Sequence, residues 1–490
     1  MRFHLPILVL LASVVHVGVI ANSSLTARDS LGFARQAMNL AHPERGAHGT
    51  RLGVLRDTQQ PPGYPAAVYA SYRVVSILWD AGIAEQLLLA TQIASAIAGI
   101  LIVFPFYRLA RSLLEPNMAF AAVGLYQLIP AVAKYTSDGL SESLAILFIV
   151  TSLWLAVRGL QDPRRWRFLL AGFAAGCAYL VRPEGLGVSL AIIGTLAVMA
   201  VAERRKGWFV SALCVLTGTA IPAAPYMVAI GGITNKPAGR GLYESQAATR
   251  GVLFAEFIPP ADANDRVARA WWCAKAAGIE FLRATHYAVG ILAFAALCGF
   301  GCKLLREPGW LVLIAYGGIH LSAVLVVAGF RHGYISDCHL LPLVPIAALL
   351  AMRALGAVPR WRVWIVAAVA LSCVPSLVKP LHDNRVGHKH AGRYLKGVMV
   401  QNDVLIDPFE WAGFYAEVTV YGRTDAGGLP TSMYAVLDDA KGENPHARLR
   451  HMPEAIQVGH DPRSELVFTW PANSTEQEAK VRVYRLKTYR

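Results

Sequence analysis

The chain has 490 residues, of which 55% are hydrophobic and only 16% are charged. Soluble domains carry about 25% charged residues, so this deficit, with a mean hydropathy of +0.42, excludes a disordered chain and argues against a purely soluble protein. The net charge of +14 arises from 46 basic and 32 acidic residues, and their placement decides between a nucleic acid and a membrane as the reason for it.

Eleven apolar segments approach the roughly 17–25 residues that a membrane-spanning helix needs. They lie at residues 4–22, 84–106, 118–134, 139–157, 167–181, 185–202, 208–230, 286–302, 309–329, 338–355 and 361–378. The third and the fifth are short. The first segment could be a cleaved signal peptide, because Val19 and Ala21 suit a cleavage site, or it could be the first transmembrane helix.

The loops between these segments indicate the orientation of the chain. With the N-terminus inside, the inside loops are Arg108–Asn117, Arg158–Arg167, Glu203–Gly207, Lys303–Pro308 and Arg353–Arg362. Each is short and basic, as cytoplasmic loops are. The sequence therefore predicts a multi-pass protein of the plasma (inner) membrane, with no nucleic-acid partner, whose long loops 23–83 and 231–285 face away from the cytoplasm.

The composition changes after residue 379. Residues 380–490 are rich in charge and contain no apolar run of spanning length. DVLID, ELVFTW and VRVYRL are typical of short strands, and AGRYLKGVM is typical of a helix. The predicted fold class is an α-helical polytopic membrane domain over residues 1–379, with about eleven transmembrane helices, followed by a small α/β extra-cytoplasmic domain over residues 380–490.

The cysteines indicate neither a disulfide framework nor a zinc site. There are seven, an odd number, and no CxxC pair occurs. Five of them lie inside apolar runs, where cysteine commonly serves as a small core residue; these are Cys177, Cys214, Cys298, Cys302 and Cys373.

The first external loop contains two polar features. Asp29 precedes apolar residues at helical spacing, which predicts a short helix along the membrane surface, and its carboxylate could be a solvated helix cap or a functional group. Gln60 and Tyr64 belong to the segment QQPPGYP, whose prolines exclude a helix there. Tyr64 suits an aromatic belt at the membrane interface as well as a binding site.

Two carboxylates stand at the head of the fourth span. Asp138 and Glu142 are four residues apart, which predicts that they share one face of a helix. Either they cap the helix dipole, or a cation, an arginine or a hydroxylated ligand compensates for their repulsion.

Arginines occur on the side where the positive-inside tendency does not expect them. Arg182 and Glu184 lie in the turn VRPEG between two spans, and Arg331 and His332 lie in FRHGYISDCH. Charged groups near membrane depth are functional candidates. Arginine pairs bidentately with phosphate, and a nearby carboxylate can take a proton from a hydroxyl, so the sequence predicts a site for an anionic lipid headgroup.

A metal centre has weaker support from the sequence. His332 and His339 could bind a metal ion together with Asp29 or Glu142, but no two of these residues have a recognised ligand spacing. We therefore expect no certain cofactor, and a divalent cation stays possible.

The order of these motifs resembles the lipid-linked membrane glycosyltransferases of the C superfamily, the protein O-mannosyltransferases and the bacterial aminoarabinose transferases in particular. The resemblance covers roughly residues 1–350 and is strongest in the first 190. The family often has Asp-Glu where this chain has Asp29-Ser30, and a histidine where Gln60 stands. No Gly-rich nucleotide loop occurs, in keeping with a lipid-linked donor.

The resemblance implies an inverting transfer of a sugar from a polyprenyl-phosphate donor to a hydroxyl acceptor of a protein, lipid or glycan. It implies that Asp29 is the catalytic base. The resemblance further implies that a second group of residues binds the substrate; these are Gln60, Tyr64, Asp138, Glu142, Arg182, Glu184, Arg331 and His332. The implied partners are the donor, membrane lipids and the acceptor.

Two other functions are compatible with the sequence. A transporter or lipid flippase usually places polar groups near the bilayer midplane, often in repeated halves, whereas here the charges gather at one edge. A protein whose tail binds a partner without catalysis would tolerate substitution of Asp29 or Arg182 but not deletion of residues 380–490.

Overall fold

The computed structural model describes residues 3–46, 49–235, 265–331, 333–421, 430–438 and 452–487, with only the backbone of residues 330 and 331. The described chain is mostly helical and ends in a small sheet. This arrangement confirms the predicted fold class of a polytopic helical protein with an α/β tail.

Twelve helices lie before residue 236 within the described ranges. They are α1 (His4–Ala21), α2 (Arg28–Ala41), α3 (Arg51–Asp57), α4 (Gly63–Leu78), α5 (Ile83–Leu101), α6 (Val103–Leu113), α7 (Pro116–Leu128), α8 (Pro130–Tyr135), α9 (Glu142–Gln161), α10 (Arg165–Val181), α11 (Leu186–Ala202) and α12 (Gly207–Ile230). A short 3₁₀ turn, Pro183–Gly185, joins α10 to α11.

The remaining membrane helices follow residue 264. They are α13 (Arg266–Ala284), α14 (Ala288–Leu304), α15 (Pro308–Ala323), α16 (Asp337–Leu340), α17 (Val344–Leu355) and α18 (Arg362–Leu377). A π-helical segment, Val324–Arg331, continues α15.

Seven helical stretches of the described chain are long and apolar enough to cross a membrane, or eight if the bent pair α13–α14 is one span. Each of the eleven predicted spans falls on a helix. The predicted spans that are not among the seven long stretches correspond to shorter or bent helices, such as α18 and the broken pair α7–α8. The sequence therefore located the apolar helices, whereas their lengths are less uniform than it indicated.

Helix α13 was not expected, since it lies in the segment predicted as loop 231–285. Asp265 caps it by accepting from the N–H groups of Val267 and Ala268 at 2.8 and 3.3 Å. Its sequence mixes apolar residues with arginine, lysine and glutamate, so that it contains no apolar run of spanning length. It meets α14 at a bend of 117°.

Small residues allow α10 and α12 to pack closely. A Cβ atom at Gly172 would lie 2.1 Å from the carbonyl oxygen of Val215, and one at Gly218 would lie 2.1 Å from the carbonyl oxygen of Leu169. Neither glycine could therefore carry a side chain without moving the helices. Small residues at a contact let the backbones of two membrane helices approach each other closely. This contact supports α10, the helix that leads to Arg182.

The tail contains a four-stranded sheet of order β1-β2-β4-β3. Its strands are β1 (Val404–Ile406), β2 (Ser432–Asp438), β3 (Glu465–Trp470) and β4 (Val481–Lys487), and its helices are α19 (Val386–Val398), α20 (Trp411–Tyr415) and α21 (Met452–His460). Strand β1 is parallel to β2, and β4 is antiparallel to both β2 and β3. The three strands and the helix expected from the sequence are present, and β2 was missed. The domain boundary after residue 379 stays a prediction.

The tail packs against α2 and α5 and buries apolar side chains between them. One core cluster combines Leu31 and Met38 of α2 and Leu87 of α5 with Trp411 and Phe414 of α20. Burial of such side chains removes apolar surface from water and holds the two parts together. The first external helix is therefore enclosed by the tail on one side and by the membrane helices on the other.

Candidate functional site

Helix α2 begins directly after the first span and carries Asp29 in its first turn. The Asp29 side chain is exposed. Its neighbours are fixed, because Arg28 binds Glu410 at 2.8 Å and the Ser30 hydroxyl lies 2.6 Å from the Thr26 hydroxyl. The backbone at Asp29 is thus held on both sides, while its carboxylate is free of partners among the described residues.

Asp138 lies in the turn before α9 and holds the start of α2. Its carboxylate is buried and accepts a hydrogen bond of 2.8 Å from the N–H of Ala27, the residue that precedes α2. His382 from the tail lies 2.8 Å from the other carboxylate oxygen. Three segments that are far apart in the sequence therefore meet at Asp138.

The expectation that Asp138 and Glu142 share one helical face was wrong. Helix α9 begins at Glu142, and Gly139 between them has a φ of +73°, a left-handed conformation that glycine tolerates best. This turn directs Asp138 towards α2 and leaves Glu142 at the helix start.

Glu142 instead pairs with Arg182 across the bundle. An Nη atom of Arg182 lies 2.6 Å from the Glu142 carboxylate, and its Nε lies 3.7 Å from Glu184. The side chains of Arg182 and Glu142 are 19% and 8% exposed, so the ion pair is largely shielded but the guanidinium is open at one side. A cation held in this way at the membrane edge can meet an anionic headgroup.

A second polar group lies beside this pair. The Tyr135 hydroxyl donates to Asp337 at 2.6 Å. Nε2 of His320 lies 2.8 Å from the carbonyl oxygen of His339, and the pair Ser336 and His339 caps the short helix α16. These contacts order the segment that follows the π-helical turn.

Gln60 and Tyr64 support the first loop. The backbone carbonyl of Gln60 accepts from the side-chain amide of Gln36 on α2 at 2.8 Å. Tyr64 is fully buried, and its hydroxyl donates to the carbonyl oxygen of Thr91 at 2.9 Å and lies 2.6 Å from the Ser95 hydroxyl. Their roles in substrate binding stay predictions, since these contacts are internal to the protein.

The structure describes less of Arg331 and His332, the last two predicted site residues. The backbone of Arg331 ends the π-helical segment, but its side chain lies outside the described part of the chain, as does all of His332. Their roles stay predictions too.

Comparison with known proteins finds a family match and similar folds. Residues 81–229 match the family described as dolichyl-phosphate-mannose-protein mannosyltransferase. The structure of ArnT from Cupriavidus metallidurans bound to undecaprenyl phosphate is similar over 98% of this chain and 97% of that one, with a TM-score of 0.58 and 12% identity. The chain therefore has the same overall fold as ArnT.

A second solved structure with a similar fold is archaeal. The Archaeoglobus fulgidus oligosaccharyltransferase, in complex with zinc and sulfate, matches with a TM-score of 0.58 and 13% identity over 86% of this chain. The chain spans 62% of that enzyme's length. No protein of curated function matches by sequence. The fold that the resemblance in the sequence implied is confirmed.

Several residues around this candidate site were not found from the sequence. His382 and Glu410 of the tail contact Asp138 and α2, and Trp411 donates its indole N–H to the carbonyl oxygen of Thr26 at 3.2 Å. The spacing of Arg28 and Arg35, two helical turns apart, was a usable signal that α2 has a basic face. Nothing in the local sequence indicated which acidic residue would meet that face.

Glu410 is the electrostatic link between the tail and α2. It also contacts Arg35, and the Nε of Arg35 donates to the carbonyl oxygen of Thr419 at 2.9 Å. Burial by itself would raise the pKa of Glu410, but the guanidinium groups of Arg35 and Arg28 outweigh it and hold this pKa below its ordinary value. Glu410 is therefore ionised at neutral pH.

The described residues do not form a metal site of their own. Within the described ranges, no three histidine, cysteine, aspartate or glutamate side chains converge as metal ligands would. The carboxylate of Asp138, which holds the start of α2, is already engaged by His382 and Ala27. A cation at Asp29 would therefore need ligands from outside these residues.

Proposed function

We propose that the chain transfers a sugar from a polyprenyl-phosphate donor to a hydroxyl acceptor, with inversion, at the extra-cytoplasmic face of the membrane. The observation that carries this proposal is the fold similarity over nearly the whole chain to a protein crystallised with undecaprenyl phosphate. The family match over residues 81–229 supports a sugar carried on a lipid phosphate.

Asp29 is the proposed general base. It has the two properties that the role needs, a fixed backbone and a free, exposed carboxylate. The carboxylate accepts the proton of the acceptor hydroxyl, and the acceptor oxygen forms a bond to the anomeric carbon. The bond from that carbon to the phosphate oxygen breaks on the opposite face, and its electron pair leaves with the phosphate.

Arg182 is the proposed contact for the departing phosphate. Glu142 and Glu184 hold its guanidinium at the membrane edge, so that little reorganisation is needed when negative charge develops on the leaving group. Arg331 is a further proposed contact.

The sidedness is part of the proposal. Basic residues concentrate in the loops that the sequence places inside. Asp138 precedes α9 and Arg182 follows α10, so both lie at the ends opposite the basic loop that joins these helices. Asp138 in turn holds the start of α2, which carries Asp29. The acceptor would therefore be a protein, lipid or glycan of the cell envelope.

The first test measures the release of polyprenyl phosphate. Membranes containing the wild-type chain, Asp29→Asn or Asp80→Asn would receive polyprenyl-phosphate mannose and, separately, polyprenyl-phosphate aminoarabinose. Loss of a general base lowers the rate by about 10²–10⁴-fold, so Asp29→Asn should lose turnover to that extent. Asp80 is an exposed aspartate of the same external region, and its variant should retain wild-type turnover.

Two results would count against the proposal. Equal turnover of Asp29→Asn and the wild type would remove Asp29 from the mechanism. Movement of the intact donor across the membrane without release of polyprenyl phosphate would favour a flippase instead.

A further inference from the structure

Helix α2, which carries Asp29, is held in place at its first turn. Ala27 donates its N–H to Asp138, and Arg28 binds Glu410, so two consecutive residues before Asp29 are anchored. Ser30, directly after it, is fully buried and donates to the carbonyl oxygen of Ala27 at 2.5 Å. Only the side chain between these anchors is left free.

The tail supplies the partners for two of these anchors. The carboxylate of Asp138 is 1% exposed, and a charge removed from water in this way needs a strong partner. That partner is His382, which lies at 2.8 and 3.0 Å from the two carboxylate oxygens. Glu410 lies between Arg28 and Arg35 and holds both ends of the first two turns of α2.

The backbone of the two tail residues is consistent with a specific role. His382 and Glu410 have φ values of +56° and +70°, which non-glycine residues adopt only at an energetic cost. Such conformations persist where the surrounding contacts determine them. Both residues face the start of α2 or the turn that holds it.

We propose that His382 and Glu410 of the tail are positioning residues for Asp29, so that the extra-cytoplasmic domain completes the active site. His382 acts through the carboxylate of Asp138 on the first N–H of α2, and Glu410 acts through Arg28 and Arg35. The inference rests on the proposed function, because it gives the tail a part in the reaction of Asp29. A misplacement of about 1 Å can cost about 10²-fold in rate, so the clamp has a large effect on catalysis without touching substrate.

The kinetic test compares His382→Ala with His382→Gln in the full-length chain. The amide nitrogen of glutamine takes the place of the Nε2 atom that contacts Asp138 and keeps a donor there. His382→Ala should lower kcat by about 10-fold or more while the KM for the donor changes by less than about two-fold, since only the alignment of Asp29 is lost. His382→Gln should recover most of the rate. His460→Ala, an exposed histidine of the same domain, is the matched control.

A second readout does not depend on activity. Hydrogen exchange of the backbone amides in residues 25–32, followed by mass spectrometry, should be faster in His382→Ala than in the wild type and unchanged in His460→Ala. Glu410→Gln, which removes the charge but keeps the shape, should also accelerate exchange. It serves as the second variant if His382→Ala does not fold.

The outcomes separate this inference from the proposed function. Unchanged exchange in His382→Ala and Glu410→Gln would overturn the clamp. Equal loss of kcat in His382→Ala and His382→Gln, or a rise in KM at constant kcat, would overturn the positioning role. A wild-type chain inactive with every donor would remove the proposed function, while the exchange measurement would still decide whether the tail holds α2.

Discussion

The three carboxylates of the site differ in what surrounds them. Asp29 is exposed and has no partner among the described residues, whereas Asp138 is buried against His382 and Glu142 is paired with Arg182. A general base needs a carboxylate that can reach the acceptor hydroxyl. These surroundings therefore favour Asp29 for the proposed base role, while Asp138 and Glu142 hold other groups in place.

The Arg182–Glu142 pair can be separated into a structural and a catalytic part. Arg182→Met should lower the melting temperature, because removing one partner of a buried pair costs up to about 3–5 kcal/mol. The double variant Arg182→Met with Glu142→Met should regain most of this stability, since the buried partner is removed as well and Glu184, the other carboxylate near Arg182, is 35% exposed; it should not regain turnover.

Thermal unfolding and donor turnover of the same preparations measure the two effects. Arg463→Met is the control, because the pair of Arg463 with Asp461 is exposed and such pairs contribute about 0–1 kcal/mol. Recovery of turnover in the double variant would show that the pair has no part in catalysis.

At the scale of the elements, the length of an apolar run predicted a helix well, whereas charged residues concealed one. The apolar runs predict α9 and α12, but α13 carries arginine, lysine and glutamate among its apolar residues, and its segment reads as a loop. The sequence also did not indicate the turn at Gly139. Residues four apart, such as Asp138 and Glu142, share a face only where the chain between them is helical. Local pattern therefore located elements better than it located their ends.

The close contact of α10 and α12 predicts a position-specific effect of adding one methyl group. Gly218→Ala should destabilise the protein by about 1–3 kcal/mol, since the new Cβ would meet the Leu169 carbonyl and helices would have to move. Gly194→Ala in α11 meets nothing within 4 Å and should be neutral or stabilising by roughly 0.5–1 kcal/mol. Thermal unfolding in detergent would measure both, and equal effects would contradict the packing argument.

Glu410 gives the docking of the tail a defined pH dependence. Its pKa in the folded chain lies below its unfolded value, so its stabilising contribution is present above the unfolded value, about 4.3, and is lost as the pH falls through the folded value. The difference in melting temperature between the wild type and Glu410→Gln should be constant from neutral pH to about pH 5 and should disappear in stronger acid.

A control variant isolates this effect from general acid unfolding. Glu465→Gln alters an exposed residue of β3 and should show no such pH-dependent difference. A Glu410→Gln difference that persists in strong acid would mean that packing, and not charge, holds the tail to α2.

At the scale of the whole molecule, the tail contacts α2 and the turn before α9. Arg28 and Glu410 are 382 residues apart in the sequence, and His382 and Asp138 are 244 apart. The apolar cluster between α2, α5 and α20 brings them together. The tail is therefore predicted to be on the same side of the membrane as Asp29.

This sidedness can be measured directly. Alkaline phosphatase, which is active only outside the cytoplasm, should be active when fused to the C-terminus and inactive when fused after Arg205, in the basic loop between α11 and α12. Green fluorescent protein at the same two positions should give the inverse pattern. Activity of the phosphatase after Arg205 would reverse the proposed orientation.

The sequence by itself determined the membrane helices, the α/β character of the tail and the types of charged residue at one edge, because apolar length, alternation and charge bias are local properties of the chain. Only the tertiary structure decided that Asp29 is free, that Arg182 meets Glu142, and that His382 and Glu410 reach α2. These pairings depend on which helix faces pack together, and packing between distant segments leaves no signal in the residues next to either partner.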